Sequence, residues 1–168
     1  WEVSSLVGVD EKGKKLYYLS TEKSPLERQL YVIQLDGKGK KMLSPLAGTY
    51  SINMSPDHQF FIAYHSNAAS PVTVTLNEAS GKTLKVLEDN QALKDRMASF
   101  ALGKKEFFSF PTLDGSQLNG YLIKPADFDP NKKYPVLIYV YGGPGSQNVL
   151  NSWGGSRDFW HQHLAAEG

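Results

Sequence analysis

Short apolar runs separated by turn residues occupy the first half of the chain. Val3 to Val9, Lys15 to Ser20 and Gln29 to Leu35 each read as a strand, and Lys40 to Leu43 as a short fourth. Asp10-Glu11-Lys12-Gly13 is a turn, and Asp36-Gly37 is a strong hairpin signal. The pattern then returns. Thr49 to Asn53, Phe60 to His65, Val72 to Leu76 and Thr83 to Leu87 are strands, with turns at Ser55-Pro56-Asp57-His58 and Ser80-Gly81. Asp10 to Gly13 ahead of Leu16-Tyr17 lines up with Ser55 to His58 ahead of Phe61-Ile62. The offset of about 45 residues is the period of a four-stranded propeller blade. An ordinary β-sandwich is the alternative. Two blades cannot close a ring of roughly 4–8, so the blade reading predicts further sequence upstream.

The second half changes character. Ala92, Leu93, Arg96 and Met97 give helical spacing within Asn90 to Phe100. Lys105 to Phe110 alternates as a strand, turns at Pro111 to Ser116 through Asp114-Gly115, and returns over Leu118 to Ile123. A loop from Pro125 to Lys133 leads to Val136-Leu137-Ile138-Tyr139-Val140-Tyr141, an unbroken apolar run. Without alternation both faces should be buried, as in a central strand of a helix-covered α/β sheet. The run enters Gly142-Gly143-Pro144-Gly145, where a substrate could approach the backbone closely. In open α/β sheets chemistry collects at the carboxyl ends of strands, which is where Tyr141 stands. Ser156 is a reasonable N-cap for a helix over Arg157 to Ala166. Asp158 in its first turn favours the helix dipole, and Gly168 serves as a stop.

Composition narrows the function classes. The net charge of +1 over 168 residues argues against a dedicated nucleic-acid surface. No cysteine is present, so there is no disulfide framework and no thiolate nucleophile. This fits an exported bacterial protein, periplasmic, secreted or in the cell envelope. No apolar run approaches the ~20 residues of a membrane span. The chain starts at Trp1 and stops just after a helical pattern, which reads as an internal fragment of a larger protein.

Several residues carry a family likeness. Leu113-Asp114-Gly115-Ser116, Leu118 to Pro125, Tyr134-Pro135-Val136-Leu137 and Val140-Tyr141-Gly142-Gly143-Pro144 resemble the beginning of the hydrolase domain in the prolyl oligopeptidase family of serine peptidases. Tyr141 to Gln147 resembles the dipeptidyl peptidase IV branch most closely. The resemblance covers the whole chain and implies a mixed β and α/β fold. Residues 1–89 would be the last blades of an N-terminal propeller, 90–104 a linker or helix, and 105–168 the truncated start of an α/β-hydrolase domain.

The activity so implied is removal of N-terminal dipeptides after proline, without a cofactor or metal, from peptide substrates. The full-length protein would be a homodimer. Such enzymes carry a Gly-x-Ser-x-Gly elbow with Asp and His following. None occurs between residues 1 and 168, so the fragment alone should be inactive. One role carries over by position: Tyr141 matches the tyrosine whose hydroxyl donates to the oxyanion, a contribution of roughly 3 kcal/mol. Otherwise Tyr141 is a strand-end aromatic, and Tyr139 is taken as packing. A non-catalytic β-rich binding or scaffold module, or an acylaminoacyl peptidase or oligopeptidase of the same family, are the other readings.

Other candidates fall away. His161 and His163 lie about 200° apart around a helix and cannot share a ligand. His58 and His65 sit in and near a turn and a strand and read as surface residues. The glycine loop lacks the Lys-Ser/Thr of a phosphate loop. Ser146 stands in no elbow motif, and Lys38-Gly39-Lys40-Lys41 is a solvated hairpin tip.

Overall fold

Alternation and turns produce three antiparallel sheets in the computed structural model, which describes residues 1–143 and 145–167. The first four strands are β1 (Val3–Asp10), β2 (Lys15–Ser20), β3 (Gln29–Gln34) and β4 (Lys41–Met42), paired in sequence order. β5 (Thr49–Met54), β6 (Phe60–Asn67), β7 (Ser70–Glu78) and β8 (Thr83–Glu88) repeat that meander. A hairpin of β9 (Lys105–Pro111) and β10 (Gln117–Ile123) forms the third sheet. Two helices complete the order: α1 (Gln91–Ala98) between β8 and β9, and α2 (Ser156–Glu167) near the end. The fold is thus mostly antiparallel sheet with few helices. Strand ends fall within two residues of those expected from the pattern, because each end is set by a local turn.

The chain divides into two compact units. The first comprises Trp1–Gln91 with Leu150–Trp153, and the second Ala92–Val149 with Gly154–Gly168. In the first unit the two meanders share a core of Tyr17, Leu19, Leu30, Leu43, Tyr50, Phe61 and Ala63. Burial of each large side chain contributes about 1.5–3 kcal/mol. A parallel bridge between Arg28 and Thr49 joins the meanders, with the Tyr50 amide donating to Arg28 O at 2.9 Å. Gly48 makes this junction possible. Its φ is +131°, and a Cβ there would lie 2.2 Å from the Ser66 carbonyl oxygen, so both the conformation and the space require glycine.

One expected element is absent. Val136 to Tyr141 is not a strand: the segment has no ladder partner among the described residues, and its side chains are exposed, Ile138 at 80%. A strand exists only through hydrogen bonds to its neighbours. β9 and β10 pair with each other, so this run has its apolar pattern but no sheet to join. Pro144 of the glycine loop, and Gly168 as the stop of α2, lie outside the described residues.

Candidate functional site

The segment bearing Tyr141 belongs to the second unit and is tied down at a few points. Upstream, the Tyr134 hydroxyl accepts from the Asp129 amide at 3.0 Å, and its ring stacks on Phe128 at 5.1 Å. Tyr139 meets α2: its ring centroid is 5.6 Å from that of His161, and the Arg157 guanidinium lies 5.6 Å from the same ring. Tyr139, at 54% exposure, is not packed in a sheet as the strand reading expected; its ring contacts are with α2.

Tyr141 is 56% exposed. No hydrogen bond occupies its hydroxyl among the described residues, so the O–H is free to donate to a ligand oxygen. The glycines beside it keep that space open. A Cβ on Gly142 would meet nothing within 4 Å, whereas one on Gly143 would lie 3.1 Å from Tyr141 Cε1 and 3.3 Å from its hydroxyl oxygen. A side chain at 143 would therefore crowd the phenol, which would have to give by a few tenths of an ångström.

A buried ion pair holds α2. Lys105 Nζ donates to Asp158 Oδ2 at 2.8 Å, with side chains only 7% and 8% exposed. The same Asp158 oxygen accepts from the Gly154 amide at 2.9 Å. The Lys105 ammonium also lies 4.8 Å from the centroid of the Tyr121 ring, a cation–π contact. Burial and the Asp158 charge push the Tyr121 hydroxyl above its ordinary pKa of 10.0. One turn further along α2, Gln162 and Gly103 exchange two hydrogen bonds. The Gly103 amide donates to Oε1 at 2.8 Å, and Nε2 donates to Gly103 O at 2.7 Å.

In the first unit the densest polar cluster surrounds Glu27. Its carboxylate accepts from Gln29 Nε2 at 2.8 Å and from Asn151 Nδ2 at 3.0 Å. Gln29 Nε2 also reaches the carbonyls of Leu46 and Gly48, and Ser44 donates to Gln29 Oε1. Asn151 adds three further bonds: its amide donates to Leu26 O, its carbonyl accepts from Thr49, and its Oδ1 accepts from Ala68 N. The cluster is fully satisfied, which marks it as structural rather than reactive.

Neither the Lys105–Asp158 pair nor the Asn151 clamp was visible in the sequence. Asp158 reads as a first-turn acid for the helix dipole, and its partner lies 53 residues away. Asn151 sits in a polar segment with no periodic signal. The two histidines of α2 turn apart, His161 toward Tyr139 and His163 toward Trp160. Among the described residues no three His, Asp or Glu side chains gather closely enough to hold a metal ion.

The family profile described as "Dipeptidyl peptidase IV (DPP IV) N-terminal region" matches residues 1–72. The crystal structure of Porphyromonas gingivalis dipeptidyl peptidase 4 superposes with a TM-score of 0.92 at 38% identity, covering 100% of this chain and 23% of that one. Dipeptidyl peptidase 4 of Trichophyton rubrum is 33% identical over 165 residues, covering 95% of this chain and 21% of the relative. A probable dipeptidyl-aminopeptidase B of Arthroderma gypseum is 34% identical over 154 residues, covering 89% of this chain and 17% of the relative. The chain thus spans about a fifth of the length of the curated relatives it matches.

Proposed function

We propose, from the premise that the chain belongs to the dipeptidyl peptidase IV family, that it forms part of a serine-type peptidase releasing dipeptides from peptide N-termini. In this reading the two four-stranded meanders are propeller blades. β9 and β10, the Val136 to Tyr141 run and α2 open an α/β-hydrolase domain, in which the run becomes a central strand. No Gly-x-Ser-x-Gly occurs in residues 1–168, so nucleophile, acid and base come from sequence other than this chain. A dimer of the full-length protein and an envelope or secreted location belong to the same proposal.

One observation carries the assignment of Tyr141: a phenol O–H without a hydrogen bond among the described residues, beside a glycine loop, at the end of an apolar run. Attack on a peptide carbonyl moves negative charge onto its oxygen. A donor already in place stabilises that oxygen more than it stabilises the ground-state carbonyl. Tyr141 supplies such a donor through its hydroxyl.

Tyr141→Phe removes the donor and keeps the ring. In the full-length protein, kcat on a dipeptide-releasing substrate should fall about 100- to 1000-fold, with KM little changed. Unchanged kcat would reject the assignment of Tyr141. Cleavage of substrates with blocked N-termini as readily as free ones would reject the exopeptidase reading.

A further inference from the structure

We propose that the buried Lys105–Asp158 pair, together with the Gln162–Gly103 exchange, positions Tyr141 by fixing α2 against Tyr139. The inference rests on the reading of Tyr141 as the oxyanion donor.

The geometry runs through one helix. Since no hydrogen bond fixes the Tyr141 hydroxyl among the described residues, its placement depends on the backbone that carries it. The residues from Val136 to Tyr141 are exposed and have no ladder partner among the described residues, and the ring contacts of the run with α2 are made by Tyr139; sheet pairing of the run in the full-length protein would add to that contact. The residues gripping Tyr139 are Arg157 and His161, four apart and therefore on one face of α2. Each stands next to an anchor. Arg157 adjoins Asp158, which binds Lys105 and the Gly154 amide; His161 adjoins Gln162, which exchanges two bonds with Gly103. Consecutive helical residues point about 100° apart. One side of α2 is thus fastened to Lys105 and Gly103, while the adjoining side holds Tyr139.

The chemistry suits a positioning role better than a catalytic one. Both charges are spent on each other in a buried setting, and neither touches the Tyr141 phenol. A buried pair of fixed geometry resists rotation of the helix about its axis, because any turn leaves a charge without its partner. Rotation of α2 would carry Arg157 and His161 off Tyr139, and Tyr141 is two residues further along the same backbone. Displacing a reacting group by as little as ~1 Å can cost about 100-fold in rate.

The test uses the full-length protein. Lys105→Met combined with Asp158→Asn removes the ionic tie, keeps the acceptor for Gly154 and leaves no lone buried charge. The expected result is a fall in kcat of about 10-fold, with KM changed less than about twofold. Placed on a Tyr141→Phe background, the same pair of substitutions should lower kcat no further, because it acts only through the phenol. Equal losses in both backgrounds, or an unchanged kcat, would overturn the inference. If Tyr141→Phe alone has no effect, the oxyanion assignment fails first, which separates the two failures. Should the paired variant not fold, judged by circular dichroism and thermal melting, Gln162→Ala releases the second anchor without touching a charge. It should show the same dependence on Tyr141, and a loss independent of Tyr141 would overturn the proposal.

Discussion

Asn151 holds its place through every polar atom it has. Its side chain bridges the Ala68 amide and the Glu27 carboxylate, and its backbone bonds Leu26 and Thr49. Truncation to alanine leaves the backbone pair but strands one amide and removes one of the two side-chain donors on a buried carboxylate. Leaving such groups unpaired costs about 1–3 kcal/mol each. Asn151→Ala should therefore destabilise the first unit by roughly 2–4 kcal/mol, read as a lower denaturant midpoint with unchanged slope. Asn151→Asp should be worse at neutral pH than in acid. It sets a second carboxylate where a donor stood 3.0 Å from Glu27, and the repulsion disappears once one carboxylate is protonated. An Asn151→Ala variant as stable as the parent would show that water replaces the clamp.

At the scale of elements, what the sequence announced was whatever its local pattern determines. β2 came from Leu16-Tyr17-Tyr18-Leu19, β6 from Phe61-Ile62-Ala63, and the β9–β10 hairpin from Asp114-Gly115. Alternation, turn residues and caps act within a few positions, so they are readable in order along the chain. The Val136 to Tyr141 run shows the limit. Its composition specifies two buried faces, but burial needs sheet neighbours, and these are not encoded in the run itself. The long-range polar contacts were equally illegible. Lys105 with Asp158, and Glu27 with Asn151, are joined by packing across 53 and 124 positions, and their local surroundings look like ordinary solvated loops and caps. Hydrogen exchange should separate the two kinds of segment in this 168-residue chain. Amides of Val136 to Tyr141 should exchange at near-unprotected rates, while those of β6, paired on both sides, should be slowed by several orders of magnitude. Protection of the run equal to that of β6 would mean that it finds a partner strand in solution.

For the molecule as a whole, stability should weaken in alkali through the core of the first unit. Burial pushes the Tyr17 phenol above its ordinary pKa of 10.0, with Asp10 adding to the effect. Burial also pushes Tyr50 up, against the opposing pull of the Leu46 amide that donates to its oxygen. Each folded-state pKa exceeds the unfolded one. The contribution is therefore complete below about pH 10 and is lost as pH rises through the folded values. Melting temperature should decline above pH 10, and Tyr17→Phe should flatten that decline. An unchanged slope in Tyr17→Phe would remove this residue from the effect. The clamp on Glu27 has a further consequence, in time rather than in energy. A chain emerging from the ribosome presents Glu27 long before Asn151, 124 residues later. At about 5–20 residues per second that is a wait of roughly 6–25 s. Throughout it Gln29 is in place to serve the carboxylate, but the second donor is still unmade. The first unit is thus finished by a segment synthesised after most of the second, and its final closure during biosynthesis is governed by translation rather than by its own strands.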